Sequence, residues 1–269
     1  MVSGRANYQQ CYVLHSRPYR NTSQLVDIFS SNYGRLCLVA KGVRKSRSGL
    51  AGILQPFQPL TLSWVIKGDL GTLISADCAA SPRWLGKQFV LSGMYVNELL
   101  VKLTQRHDPH CTLYKRYDEM IQAFHQLSGD DKSIAMPDFV FRIERLLRIF
   151  EKHLLIELGY GMTLDHDVIQ GNAILENENY RYFLDSGPVK CSNPDREHDL
   201  ANEKKTGPAV SASMYMDIQG RSLISLAKNE LTDVQSLRDA KNLMRMVLAK
   251  YLGNRELHSR KLFKPVYTA

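Results

Sequence analysis

The stretch Gly34-Arg-Leu-Cys-Leu-Val-Ala-Lys41-Gly42-Val-Arg44-Lys45-Ser-Arg47-Ser-Gly49 decides how the front of the chain is read. Leu36, Leu38 and Ala40 alternate with Arg35, Cys37, Val39 and Lys41, the period of two that marks a strand with one buried face. The strand runs into a Gly- and Arg-rich loop over 42–52. Upstream, Cys11 to His15 and Leu25 to Phe29 read as two more short strands, and Asn32-Tyr33-Gly34 is a turn. Downstream, Leu60 to Ile66 and Leu70 to Ala76 flank a Lys67-Gly68-Asp69 turn. Five short strands with tight turns and one long basic loop predict a small barrel. The OB-fold is the five-stranded barrel that nucleic-acid binders use most often, although the pattern fits an SH3-like barrel as well.

From about Pro82 the period changes to that of helices. Trp84 to Lys102 and Leu113 to Leu127 are helical in character. After Pro137, residues Phe139, Ile143, Leu146, Leu147, Phe150 and Leu154 form an apolar stripe that stops at Gly159. Residues 161–210 are polar and weakly patterned, with turns at Ser186-Gly187-Pro188 and Gly207-Pro208 and short strands near Tyr180 to Leu184 and Met214. Thr232 and Gln235 form a capping-box pattern ahead of a stripe from Val234 to Tyr251, which Gly253 ends. The expected fold class is α+β: a five-stranded barrel over 1–80, a helical bundle over 81–160, a small irregular or β insert over 161–225, and a C-terminal helix with a basic tail over 226–269, packed on the helical domain.

Charge is the most informative total. The chain carries 35 Lys+Arg against 27 Asp+Glu, a net charge of +8. Residues 1–68 hold nine basic side chains and one acid, Asp27, so the rest of the chain is neutral. Such a localised excess points to a polyanionic partner. Lys41, Arg44, Lys45 and Arg47 lie among glycines and serines, where mobile cations and accessible backbone N–H groups suit phosphate. Arg17, Arg20 and Arg35 extend the cationic set. Of the aromatics Tyr12, Tyr19, Tyr33, Phe57 and Trp64, Tyr19 and Tyr33 are the better base-stacking candidates, since both lie beside turns and cations. On the helix after Pro137, Arg142, Arg145, Arg148 and Lys152 line one edge of the apolar stripe, an arrangement suited to an acidic-hydrophobic peptide.

Catalytic signals are weak. The chain has no GxSxG, no phosphate-binding GK[ST] loop and no GxGxxG. Asp165-His166-Asp167 and His107-Asp-Pro-His110-Cys111 contain metal-ligand types without a second pair at a recognisable spacing. The five cysteines are scattered and read as free thiols. With no apolar leader segment, a cytoplasmic, nucleoid-associated location is expected. A metal-dependent nuclease using Asp165, Asp167 and Asp185, and an RNA-binding OB protein, are the alternative readings.

Several stretches resemble bacterial RecO: Tyr12-Val-Leu-His15-Ser-Arg-Pro18, Asn32 to Arg44, Leu54-Gln-Pro-Phe57, Tyr95-Val-Asn97-Glu98-Leu-Leu100, Leu158-Gly-Tyr160-Gly161 and Tyr251 to Arg260. They follow in order along nearly the whole chain. The resemblance implies an OB-fold, a helical bundle and a packed module, together with binding of single- and double-stranded DNA, strand annealing, and work with RecR and SSB to load RecA. It places DNA contacts at Lys41, Arg44, Lys45 and Arg47. It places the SSB C-terminal tail on the Arg142 to Lys152 face, with Arg148 foremost. Many such proteins carry a four-cysteine zinc site in the module, where this chain offers only Cys191, so neither metal nor cofactor is expected.

Overall fold

The computed structural model describes residues 3–44, 49–68, 70–79, 84–129, 136–191 and 214–263. By packing, the chain falls into two compact units, one of Met1–Met136 with Asn254–Ala269, the other of Pro137–Gly253.

In the first unit, strands β1 (Ser3–Tyr19), β2 (Ser23–Ser30), β3 (Gly34–Ala40), β4 (Leu60–Lys67) and β5 (Leu70–Cys78) close into a barrel in the order β1-β2-β3-β5-β4. Neighbours are antiparallel except β3 and β5, which run parallel at Leu38–Gly71 and Val39–Thr72. This is the OB-fold. Leu36, Leu38 and Ala40 point into the core with Val13, Ile28, Leu62 and Trp64, as the alternation in β3 requires. The first strand is longer than its sequence suggests. Ser3 to Gln10 is polar, yet it pairs with β4 before the same strand turns to pair with β2 from Cys11 onward. A strand shared by two neighbours at the barrel seam is held by its ladders, and its own composition carries little signal. The 42–52 loop contains a short helix, α1 (Leu50–Ile53).

Helices α2 (Lys87–Leu103) and α3 (Cys111–Gly129) belong to this unit. Tyr12 and Phe29, on the outer face of β1 and β2, pack against Tyr114 and Tyr117 of α3, and the Tyr12 hydroxyl donates to Asp118 at 2.5 Å. Trp84 precedes α2 and is exposed. Gly34 opens β3 at φ +64°, and a Cβ there would lie 1.9 Å from the Asp108 carbonyl, so only glycine lets the β2–β3 turn meet the α2–α3 connection. The tail returns as α7 (His258–Phe263), which packs on α2. Glu98 accepts from the amides of His258 and Ser259, at 2.9 Å each, and from the Ser259 hydroxyl at 2.7 Å.

The second unit contains α4 (Met136–Glu157), a three-stranded sheet ordered β7 (Gly187–Lys190), β6 (Asn179–Phe183), β8 (Tyr215–Gln219), and the helices α5 (Gly220–Lys228) and α6 (Val234–Leu252). The β insert thus has a definite sheet, with Gly187-Pro188 starting β7 rather than making the turn. The Gly207-Pro208 turn lies outside the described residues. The α4 stripe is buried at Phe139, Ile143, Leu147, Phe150 and Leu154, and the helix ends with Tyr160 N–H on the Leu155 carbonyl and Gly159 N–H on the Ile156 carbonyl. Asp233, not Thr232, caps α6, its carboxylate accepting from Ser236 N–H at 2.8 Å. Val234 therefore sits in the first turn, exposed, while Leu237, Leu243, Met244, Val247 and Leu248 are buried.

This grouping differs from a division at 80, 160 and 225. Aromatic packing and the returning tail tie α2 and α3 into the barrel's unit, while α4 is bonded to α5 through Lys152 and to α6 through Glu144.

Candidate nucleic-acid interface

Where β1 hands over to β2, Tyr19 pairs with Ser23 and Arg20 occupies the turn at φ 51°. The end of β3 lies alongside, with Ala40 opposite Gln24. The chain leaving β3 is pinned at two points. Val43 inserts into the barrel core, and Arg44 N–H donates to the Thr22 carbonyl at 3.0 Å. Lys41 and Arg44 are consequently held outward, both exposed, and the Arg44 guanidinium reaches the Arg20 carbonyl at 3.5 Å. A cleft of about 390 Å³ opens here, lined by Tyr19, Arg20, Thr22, Ser23, Val39, Lys41 and Gly42, with Arg44 beside it through its bond to the Arg20 carbonyl. The Arg20 guanidinium lies 5.2 Å above the Tyr19 ring centroid. Three cations, two hydroxyls, one aromatic face and a backbone turn thus meet at one end of the barrel, an inventory suited to phosphate and to an unpaired base.

The other expected contacts distribute differently. Arg17 is exposed on β1 opposite Leu25 and is not among the cleft-lining residues. Arg35 is largely buried: its guanidinium donates to the Thr104 carbonyl at 3.0 Å and lies 3.8 Å from Asp27. Burial pulls its pKa down, against the pull of Asp27. Tyr33 stands edge-on to Trp64, centroids 5.2 Å apart, packed against the barrel core. Lys45 and Arg47 lie outside the described residues.

Asp27 explains why the interface is so one-sided. The single acid of residues 1–68 is buried between Arg35 and Arg106, at 3.8 and 3.7 Å. Its charge is spent inside the unit, so it does not oppose an approaching phosphate.

On α4, Arg142 is exposed and Arg145 half-buried, reaching the Asn229 carbonyl at 3.4 Å. Arg148 and Lys152 are buried, 6% and 4% exposed. Arg148 pairs with Glu151 at 2.7 Å, and Lys152 donates to the Leu226 and Ala227 carbonyls, 2.8 Å each, at the C-terminus of α5 where a cation is favoured. Sequence spacing placed these two on the helix edge but carried no sign of α5, whose end covers that edge.

The acids considered for metal chemistry are separately engaged. Asp165 bonds His166 at 2.8 Å, and Asp185 bonds Lys250. Asp167 is buried, accepting from the amides of Ile169, Gln170 and Lys190. Among the described residues no group of three or more His, Cys, Asp or Glu side chains is arranged to hold a metal ion.

The family profile described as "Recombination protein O N terminal" matches residues 7–82, and that described as "Recombination protein O C terminal" matches residues 90–261. The chain belongs to the RecO family. It is 36% identical over 263 residues to the DNA repair protein RecO of Dechloromonas aromatica, covering 98% of this chain and 97% of that protein. It is likewise 36% identical over 264 residues to the RecO of Azoarcus sp., with 98% and 97% covered. Against the RecO of Nitrosococcus oceani it is 37% identical over 262 residues, with 97% and 94% covered. The RecO family is one of DNA repair and recombination, and the cationic cleft is consistent with binding DNA. The RecO-like stretches have visible structural work: Asn32 to Arg44 forms β3 and the cleft wall, while Asn97, Glu98 and the 254–260 tail tie α2 to β1 and to α7. Among the described residues no helix is long and apolar enough to cross a membrane.

Proposed function

We propose that this RecO-family chain is a non-catalytic recombination mediator. It binds single- and double-stranded DNA, anneals complementary strands and, with RecR, helps load RecA onto SSB-coated single strands. The observation that carries the reading is a cleft lined by Tyr19, Arg20 and Lys41, with Arg44 bonded to the Arg20 carbonyl beside it, on a barrel whose single acid in residues 1–68 is internally neutralised.

The mechanism has no bond-making step. Cations neutralise phosphate and release counterions, an aromatic face takes a base, and pairing then proceeds on the DNA's own stacking energy. In the sequence, Lys45 and Arg47 follow Arg44 and add two cations to the same stretch. For the SSB tail, we assign contact to the Arg142–Arg145 end of the α4 face, where a guanidinium is exposed, because Arg148 and Lys152 are engaged with Glu151 and the end of α5.

The test is a triple charge reversal, Arg20→Glu, Lys41→Glu and Arg44→Glu, assayed for oligonucleotide binding and for annealing of complementary strands. Both are expected to fall by more than an order of magnitude while the circular dichroism spectrum is unchanged. Parent-like binding by the folded variant would sink the proposal. Magnesium- or manganese-dependent cleavage of DNA by the parent would favour a nuclease.

A further inference from the structure

Tyr8 is the most exposed aromatic side chain of the described residues, at 76%, and it sits in a conformation that tyrosine rarely adopts. Its φ is 53°, on a β-bulge where β1 shifts register against β4 between Ala6 and Gln9. A bulky residue at positive φ is an outlier, and where the surroundings hold it there, the strain marks a position kept for use. Here they do hold it. Tyr8 N–H donates to the Ser63 hydroxyl at 3.0 Å, Gln9 Nε2 donates to the Asn7 carbonyl at 2.7 Å, and Arg5 Nε donates to Asn7 Oδ1 at 3.0 Å. Bending β1 from β4 toward β2 accounts for a bulge but would be served better by glycine or asparagine.

The ring itself is free: among the described residues no other ring and no cation stacks on it. On the far side of Ser63, β5 carries its own bulge at Ile74, which is 50% exposed. Two irregularities therefore flank one point of β4 and turn an aromatic and an aliphatic side chain outward. Exposed Arg5, opposite Val65, and exposed Lys67, opposite Ser3, lie along the same pair of strands. The nearest described acid of these strands is Asp77, opposite Thr61 at the other end of β4. A stacking face with two cations along the same strands fits single-stranded nucleic acid better than an apolar protein surface.

We propose that Tyr8, with Arg5 and Lys67, forms a second single-strand contact on the β1–β4–β5 face, apart from the cleft at the end of β1, β2 and β3. The inference rests on the DNA-binding reading above and deepens it. A barrel with two separate strand contacts can hold both partners of an annealing reaction at once.

The experiment compares Tyr8→Gly with Tyr8→Phe in the full chain, using labelled oligo-dT for binding and complementary oligonucleotides for annealing. Tyr8→Gly relieves the backbone and removes the ring, so it is expected to melt no lower than the parent yet to bind oligo-dT about five-fold or more weakly and to anneal more slowly. Tyr8→Phe keeps the ring and should match the parent. In a Trp84→Phe background, Tyr8→Trp should show indole fluorescence quenched by oligo-dT. Parent-like binding and annealing by Tyr8→Gly, absence of quenching, or a defect seen only when a protein partner is added would overturn the proposal. A parent that binds no DNA would overturn the DNA-binding reading itself, so the two failures are distinguishable.

Discussion

The side-chain amide of Asn97 donates to the Leu14 carbonyl at 2.9 Å, at the point where β1 slips register against β2 between Val13 and His15. Leu14 is thereby skipped in the ladder, and a helix side chain supplies the bond that the neighbouring strand does not. The other end of the same amide accepts from the Tyr117 hydroxyl at 2.7 Å, so β1, α2 and α3 meet on one buried group. An irregular barrel strand and a helical asparagine form a matched pair.

Removing that group should be costly. Asn97→Ala leaves a buried carbonyl and a buried hydroxyl without their partner, and each such loss costs about 1–3 kcal/mol. Chemical denaturation should show a stability loss of about 2–4 kcal/mol. A loss below about 0.5 kcal/mol would mean water replaces the amide.

Phe57 lies against Gly93 of α2. A Cβ at Gly93 would come within 2.5 Å of the Phe57 ring, which is buried. Gly93→Ala is expected to destabilise by about 1–3 kcal/mol through overpacking. Adding Phe57→Leu should recover part of the loss, which a double-mutant cycle reads directly.

The grip of Glu98 on the tail sets a pH window. Burial alone would raise its pKa, but hydrogen bonds from Ser259, His258 and Lys102 outweigh that and hold it at about 2, against an ordinary 4.5. A depressed carboxylate pKa contributes stability that is complete above 4.5 and is lost as pH falls from there toward 2. Amide protection at His258 and Ser259 should therefore stay constant from pH 5 to 8 and decline only below 4.5. Glu98→Gln should show weaker protection at every pH. Loss of protection near neutrality in the parent would contradict this.

Arg148 is bonded to a fully buried Glu151. Arg148→Ala removes a cation bonded to that carboxylate, and breaking a buried pair from one side costs up to about 3–5 kcal/mol. The melting temperature should drop markedly. Arg142→Glu, at an exposed position, should leave stability within about 0.5 kcal/mol. If the α4 face takes an acidic tail, Arg142→Glu weakens binding of such a peptide in calorimetry without touching the fold.

Legibility followed burial. The alternation from Arg35 to Lys41 and the stripes from Phe139 to Leu154 and Leu237 to Leu248 announce their elements because one face of each meets a core. Ser3 to Gln10 announces nothing, since that half of β1 is specified by its pairing with β4. Cationic character was legible at Arg20, Lys41 and Arg44, but spacing cannot say which cation is already engaged. Arg35 turns inward to Thr104 and Asp27, and Lys152 caps α5, because of partners 69 and 74 residues away in sequence. Tyr8 is illegible for the opposite reason: a polar stretch hides an exposed ring whose meaning lies in its backbone angle.

The most direct test of the phosphate grip is the salt dependence of oligo-dT binding. Each phosphate neutralised on a single strand contributes about −0.7 to the log–log slope. Arg20, Lys41 and Arg44 together should make the parent at least about −2 in slope, and the triple glutamate variant should lose about that much. A parent whose affinity is flat across salt, or a variant with the parent's slope, would contradict the account.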